Sequence, residues 1–296
     1  SAGGLFALNV SGQGQGSAND TVNEMQYYDY DSADSTDYGL ETNSGFNDPS
    51  AWYHLVWAFD TTQGTEANRV KVYINGVQRA YTDMNQHHGA VIQNRELNVN
   101  QATPHWIGRN IDTTSRYMNG YLADFNFIDG TQYDASYFGE FKNGIWIPKE
   151  PNVTYGTNGF RLQFKNTSVG SGSSSTIGAD TSGNDNHWTS SGIAANDCAM
   201  PDCPENNWCT LNPVDIDENS SGAAITEGGL KWSNVNANVD STFGFGNQGG
   251  KYYWEYLYVS STDSNHYQGV TLQKDGISLT NAYSTGIALY FNDGTT

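Results

Sequence analysis

Acids and tyrosines crowd one stretch of this chain, Tyr27 to Gly39 (YYDYDSADSTDYG), and these are the residues best equipped for chemistry. Asp29, Asp31, Asp34 and Asp37 offer closely spaced carboxylates, and calcium takes about six to eight oxygen ligands from such groups. Asp180, Asn184 and Asp185, in the polar run GADTSGNDN, form a second candidate set. Neither set has EF-hand spacing, and turn-forming Asp and Asn are the competing reading. Calcium is the one cofactor suggested. The tyrosines offer something else: Tyr27, Tyr28, Tyr30 and Tyr38, together with Trp106, could stack on sugar faces while Asp29, Asp31 and Asn110 hydrogen-bond the hydroxyls. Core packing competes for Trp106. The tyrosine cluster is harder to bury because acids interrupt it.

Catalytic signatures are missing. A jelly-roll glycoside hydrolase needs paired carboxylates on one strand face, and no Glu-x-Asp-x-Glu run occurs. His87-His88 reads as part of a polar loop with no nucleophile motif nearby. The glycines at 12, 14 and 16 lack the Lys and following helix of a phosphate loop. The expectation is a protein that is not an enzyme.

The elements that must position these groups are strands. From Trp52 to Phe59 and from Val70 to Ile74, aromatic and β-branched residues alternate or run together, as half-buried and buried strands do. Residues 60–68 between them are polar and contain Gly64, a loop signal. Asn75-Gly76 tolerates positive φ at both positions and predicts a tight hairpin turn toward Val77. Further on, residues 134–140 predict one short helical turn, Phe160 to Phe164 predicts a strand returning to the first sheet, and the Gly/Ser stretch 168–175 predicts a flexible loop.

Trp52-Tyr53-His54-Leu55-Val56, followed by Val70-Lys71-Val72-Tyr73-Ile74-Asn75-Gly76, resembles the core of the laminin G-like, concanavalin A-like jelly-roll family. Trp106-Ile107-Gly108-Arg109 and Asn119 to Phe127 (NGYLADFNF) resemble its closing strands. Gly249 to Val259 (GGKYYWEYLYV) and Tyr267 to Leu272 resemble the first strands of a SPRY domain, with no later strand identifiable. The blocks around Tyr137-Phe138-Gly139, Gly144 to Pro148, Tyr155 to Phe160, Gly178 to Asn184 and Asn206 to Pro213 resemble virion proteins of aquatic bacteriophages that carry these two modules in this order.

The resemblance implies an all-β chain with a laminin G-like jelly-roll sandwich over 1–190, a Cys-containing linker over 191–213 and an incomplete SPRY-like sandwich over 214–296. It implies a virion exterior component, a tail fibre or appendage, that contacts other virion subunits, assembles as a homo-oligomer such as a trimer, and binds host glycans or serves as a spacer. A secreted cellular carbohydrate-binding or adhesion protein is the alternative, and a glycoside hydrolase comes third. Cys209 lies within a resemblance block and is expected to stay reduced. Cys198 and Cys203, whose short intervening loop contains Pro201, would then pair as an extracellular disulfide, against the alternative of three free thiols.

Composition agrees with a β-rich protein. Nineteen Tyr, twelve Phe and eight Trp accompany only 15% charged residues. A net charge of −19, with thirteen Lys and Arg, argues against nucleic acid, whose phosphates must be neutralised. No apolar run has membrane-spanning length. The 296 residues are enough for about two domains. The missing initiator Met and signal peptide are expected of a processed or partial segment of a larger protein.

Overall fold

The computed structural model describes residues 5–10, 24–31, 36–43, 46, 51–109, 117–118, 120–198, 202–206, 208–216, 224–227, 229–233, 239–243, 251–259, 266–271 and 286–291. Among them the regular structure is antiparallel β, and the helical pieces are three-residue 3₁₀ turns. The protein is all-β. The chain divides into two units, residues 1–199 with 203–206 and residues 200–202 with 207–296.

In the first unit, β1 (Leu5–Val10), β2 (Met25–Asp31), β3 (Thr36–Thr42) and β7 (Met84–His88) form a four-stranded sheet in the order β1-β2-β3-β7. The chain leaves β3 to build a second sheet from β4 (Leu55–Phe59), β5 (Val70–Ile74) and β6 (Val77–Gln78) before returning as β7. His87 and His88, expected in a loop, therefore lie in a strand, with His88 opposite Gly39. The polar Met84–His88 segment pairs because β3 offers it a ladder, which outweighs its weak strand propensity.

The two sheets share one core. Tyr27, Tyr38, Leu40 and Met84 from the first meet Val70 and Val72 from the second, closed by Val91 and Leu97, with Trp57 and Phe59 packed against them. Burying each such side chain contributes about 1.5–3 kcal/mol. The opposite face of β4 and β5 is covered too: Ala58 and Tyr73 pack with Ala135, flanked by Val56 and Trp146. Coverage on both faces explains why β5 reads as a nearly continuous apolar run.

The turn between β5 and β6 forms at Asn75 (φ 47°) and Gly76 (φ 79°), as their residue types predict. A second hairpin, β9 (Gly139–Lys142) and β10 (Ile145–Pro148), turns the same way at Asn143 (φ 53°) and Gly144 (φ 82°). It carries Trp146, whose indole lies over Gly76 and Gly139 so closely that a Cβ at either position would overlap the ring. The predicted helical turn is present at Ala135–Tyr137, where the Asp134 side chain accepts from the Ser136 N–H at 2.7 Å.

β8 (Phe125–Phe127) pairs with β11 (Phe160–Leu162) as a separate two-stranded sheet. This corrects the expectation that the Phe160 strand returns to the first sheet. Its other edge is already taken: the Arg161 N–H donates to Asp180 Oδ1 at 2.8 Å, and the Arg161 carbonyl accepts from the Thr181 N–H at 2.9 Å. The Gly/Ser stretch 168–175 is likewise tied down, with Gly170 N–H donating to Ser190 Oγ (2.8 Å) and Gly172 N–H to Thr189 Oγ1 (3.1 Å).

The second unit contains β12 (Leu211–Ile216), β13 (Ala224–Thr226), β14 (Lys231–Ser233), β15 (Val239–Ser241), β16 (His266–Thr271) and β17 (Gly286–Phe291). They pair as β12-β15, β13-β14 and β16-β17. Residues 251–259 were expected to open a module as a strand but belong to none, and Tyr253 and Leu257 are 82% and 83% exposed. β16 occupies most of the segment expected as the next strand. It finds a partner, β17, where no later strand was anticipated, because six consecutive residues match it in register.

Candidate functional site

Strand alternation decides the fate of the tyrosine cluster. In β2, Met25, Tyr27 and Asp29 face the core, while Tyr28 and Tyr30 are half-buried on the opposite face. Tyr27 is fully buried, its ring 4.8 Å from Phe59 and 6.1 Å from Trp57, and burial followed by the nearby Asp29 charge pushes its phenol pKa upward. Tyr38 is 1% exposed, under the Arg95 guanidinium at 5.3 Å. These two residues, expected as sugar-stacking candidates, are core residues instead. The interrupting acids do not keep the cluster out of the core, because in a strand they alternate with the tyrosines.

Asp29 is 1% exposed and held by Asn98. Asp31 and Asp37 lie in β2 and β3, opposite Thr36 and Tyr30 respectively. Asp34 and Asn110 lie outside the described residues. Asp180 is buried, and its carboxylate accepts from the N–H groups of Arg161 (2.8 Å), Ser182 (2.8 Å) and Asn186 (2.9 Å) and from the Ser182 hydroxyl (2.9 Å). Burial pushes its pKa up, but these donors outweigh that effect and hold it below the ordinary range. Asn184 donates its amide to the Gly156 and Gly159 carbonyls, and exposed Asp185 lies 3.8 Å from His187 Nε2. Asp180 therefore serves as a turn-capping acceptor. Among the described residues, no three His, Cys, Asp or Glu side chains converge as a metal group would require.

The cysteines are free thiols, so Cys198 is not bonded to Cys203. Cys198 Sγ contacts the Ala194 carbonyl at 3.5 Å, Cys203 Sγ faces the Asn206 carbonyl at 3.9 Å, and Cys209 is exposed.

Trp106 is an aromatic sequence candidate that the structure leaves in solvent, at 40% exposure. Arg109 and Tyr117 form an antiparallel bridge, and the Met118 N–H donates to the Gly108 carbonyl at 2.8 Å. The Arg109 guanidinium lies 5.4 Å from the Trp106 ring and 5.9 Å from the Tyr117 ring. Tyr117 and, farther along the chain, Tyr121 are 61% and 51% exposed. Cation–π attraction of this kind is worth about 0.5–1 kcal/mol at exposed sites and orders the rings. The result is an open aromatic surface with a cation at its centre, suited to stacking and hydrogen bonding. Sequence reasoning missed Arg109 and Tyr117, although both flank one polar stretch, as residues of a hairpin would.

An ion cluster around one buried guanidinium supports this unit. Arg161 donates Nε to Asp124 Oδ1 at 2.7 Å and Nη2 to Oδ2 at 3.2 Å, and its Nη1 also donates to Glu150. Its side chain is only 9% exposed. On β8, Asn126 Oδ1 accepts from the Tyr155 hydroxyl at 2.6 Å, and burial leads the effects that push that phenol up to about 12. The guanidinium donates to both oxygens of Asp124 and to one of Glu150, so the cluster acts as a clamp.

No family model, curated protein or solved structure matches this chain.

Proposed function

We propose that this chain is a non-enzymatic component of a virion exterior, a tail-fibre or appendage subunit, whose first unit contacts host-surface glycans. The laminin G-like jelly-roll reading of the first unit and the SPRY-like reading of the second belong to the same proposal, as does assembly into a homo-oligomer beside other virion subunits. The ordered sequence blocks support the setting. The observation that carries glycan contact is the exposed Trp106–Arg109–Tyr117 stack. Flat rings present apolar faces to pyranose C–H groups, and a guanidinium donates to hydroxyls in a fixed fork.

The test is binding of the full chain to an array of bacterial surface polysaccharides, with Trp106→Ala and the double variant Trp106→Ala/Tyr117→Ala alongside. Saturable binding that weakens roughly tenfold or more in the variants, a loss of about 1.4 kcal/mol, with an unchanged melting temperature, supports the reading. Unchanged binding in the double variant removes the aromatic stack from it. No binding by the parent chain turns the proposal toward a structural spacer.

A further inference from the structure

Another feature lies away from the residues used above. A cleft of about 250 Å³ is lined by Ser136, Tyr137, Lys149 and Asn152. The Tyr137 ring is 41% exposed and is backed by Tyr133, whose ring centroid is 4.6 Å away. Tyr133 is itself fixed, because its hydroxyl accepts from the Thr154 N–H at 3.2 Å. The turn beneath is held by Asp134, which accepts from both the Ser136 N–H and its hydroxyl. Ala135, 1% exposed, anchors the turn to the core against Ala58 and Tyr73. Lys149 is fastened by its N–H to the Phe138 carbonyl at 3.0 Å. The turn at Ser136 and the Tyr133–Tyr137 pair are therefore held before any ligand arrives, which lowers the ordering cost of binding on that side of the cleft.

The chemistry is mixed in a specific way. One aromatic face is open, Asn152 supplies both donors and an acceptor, Ser136 Oγ keeps acceptor capacity after donating to Asp134, and Lys149 brings a positive charge. The chain holds 32 acidic side chains against 13 Lys and Arg, yet among the described residues Lys149 makes no ion pair. Its neighbour Glu150 is committed to Arg161. The volume is below the roughly 300–1,000 Å³ typical of pockets for larger small molecules. That suits one sugar ring and not an oligosaccharide.

We propose that this cleft binds a single carboxylated pyranose, a hexuronate residue. The ring stacks on Tyr137, its carboxylate meets the Lys149 ammonium, and adjacent hydroxyls exchange hydrogen bonds with Asn152 and Ser136. The site is independent of the Trp106 surface. Asp134, hydrogen-bonded to Ser136, and Glu150, next to Lys149 in the chain, oppose an anionic ligand, so the Lys149 ammonium must outweigh them; acids beyond about 8 Å are screened at physiological salt.

The experiment is a saturation-transfer NMR titration of the full chain with sodium glucuronate, glucose and sodium acetate at about 150 mM salt. Glucuronate is expected to bind with a Kd of about 1 mM, with glucose and acetate each roughly tenfold weaker or worse. Lys149→Met should reduce glucuronate to the level of glucose, Tyr137→Ala should abolish binding, and Trp106→Ala should change nothing. All the substituted residues are exposed, so unchanged melting temperatures are expected. Equal binding of glucose and glucuronate, equal binding of acetate, or undiminished glucuronate binding by Lys149→Met would each overturn the proposal. Because Trp106→Ala is read in the same titration, loss of this site and loss of the polysaccharide surface are separable.

Discussion

Asn98 closes over Asp29 with two nitrogens, its backbone N–H donating to Oδ2 at 2.9 Å and its side-chain amide to Oδ1 at 2.7 Å. The same amide reaches the Tyr30 carbonyl at 2.9 Å, so one side chain joins the segment after β7 to the C-terminal end of β2. Asn98→Ala withdraws a donor from a buried carboxylate and should cost about 1–3 kcal/mol. It is measured as a lower urea midpoint at constant slope. An unchanged midpoint would show that Asp29 does not depend on this contact.

Chelation should do little. Asn98 donates to both oxygens of Asp29, and N–H and O–H donors occupy those of Asp180. A ligand bound at about a hundred times its Kd would stabilise the fold by about 2.7 kcal/mol. Neither EDTA nor added calcium should move the melting temperature. A calcium-dependent rise would mean that other oxygens gather a cation.

The Arg161 clamp should behave as a unit. Asp124→Ala leaves a guanidinium buried with half its partners, and such losses cost about 3–5 kcal/mol. Arg161→Met with Asp124→Leu removes both charges and should recover part of that loss, which a double-mutant cycle in urea resolves. Additive losses would contradict a coupled pair.

Acid should lower the protein's stability in two steps. Burial keeps the His54 imidazole below its ordinary 6.5, against the opposing pull of Asp124, so the unfolded chain takes up that proton first. Stability from this group is intact above pH 6.5 and is lost as pH falls through the lower folded value. Asp180 and Glu150 are also depressed, Glu150 chiefly by its hydrogen bond from Arg161. Their contribution is lost at lower pH, below their ordinary values of 3.8 and 4.5. Melting temperature against pH should show both steps, and His54→Gln should remove the upper one alone.

Gly139→Ala should be costly although its backbone is ordinary β. An added Cβ would stand 2.5 Å from the Trp146 ring and 2.8 Å from the Ile147 carbonyl oxygen. Overpacking of this kind costs about 1–3 kcal/mol. Trp146→Phe in the same chain should relieve part of it. No relief would place the conflict at the Ile147 carbonyl.

Local features were legible in the sequence. The Asn75-Gly76 turn, the β4–β5 pair and the turn capped by Asp134 are set by residues near one another in the chain. The facing of the tyrosines was not, because in YYDYD either parity puts tyrosines on a face, and only pairing with β3 and packing on Phe59 decides that Tyr27 goes inward. Long-range partners were equally hidden. Nothing around Asp29 points to Asn98, and nothing in Phe160 to Phe164 shows that Asp180 blocks one strand edge.

The detour between β3 and β7 has a kinetic consequence. Gly39 pairs with His88, and Thr42 with Met84, only after the chain has traversed the opposing sheet. Hairpins such as β5–β6 close within about microseconds, but the β3–β7 ladder must wait for a long loop to shut, and such closures slow folding toward milliseconds or longer. Neither sheet can be excised as a self-sufficient fragment: a segment containing β1 to β3 alone ends with an unpaired edge and without Val70 and Val72 to cover Tyr27 and Tyr38. During synthesis, that edge stays open until β7 has emerged.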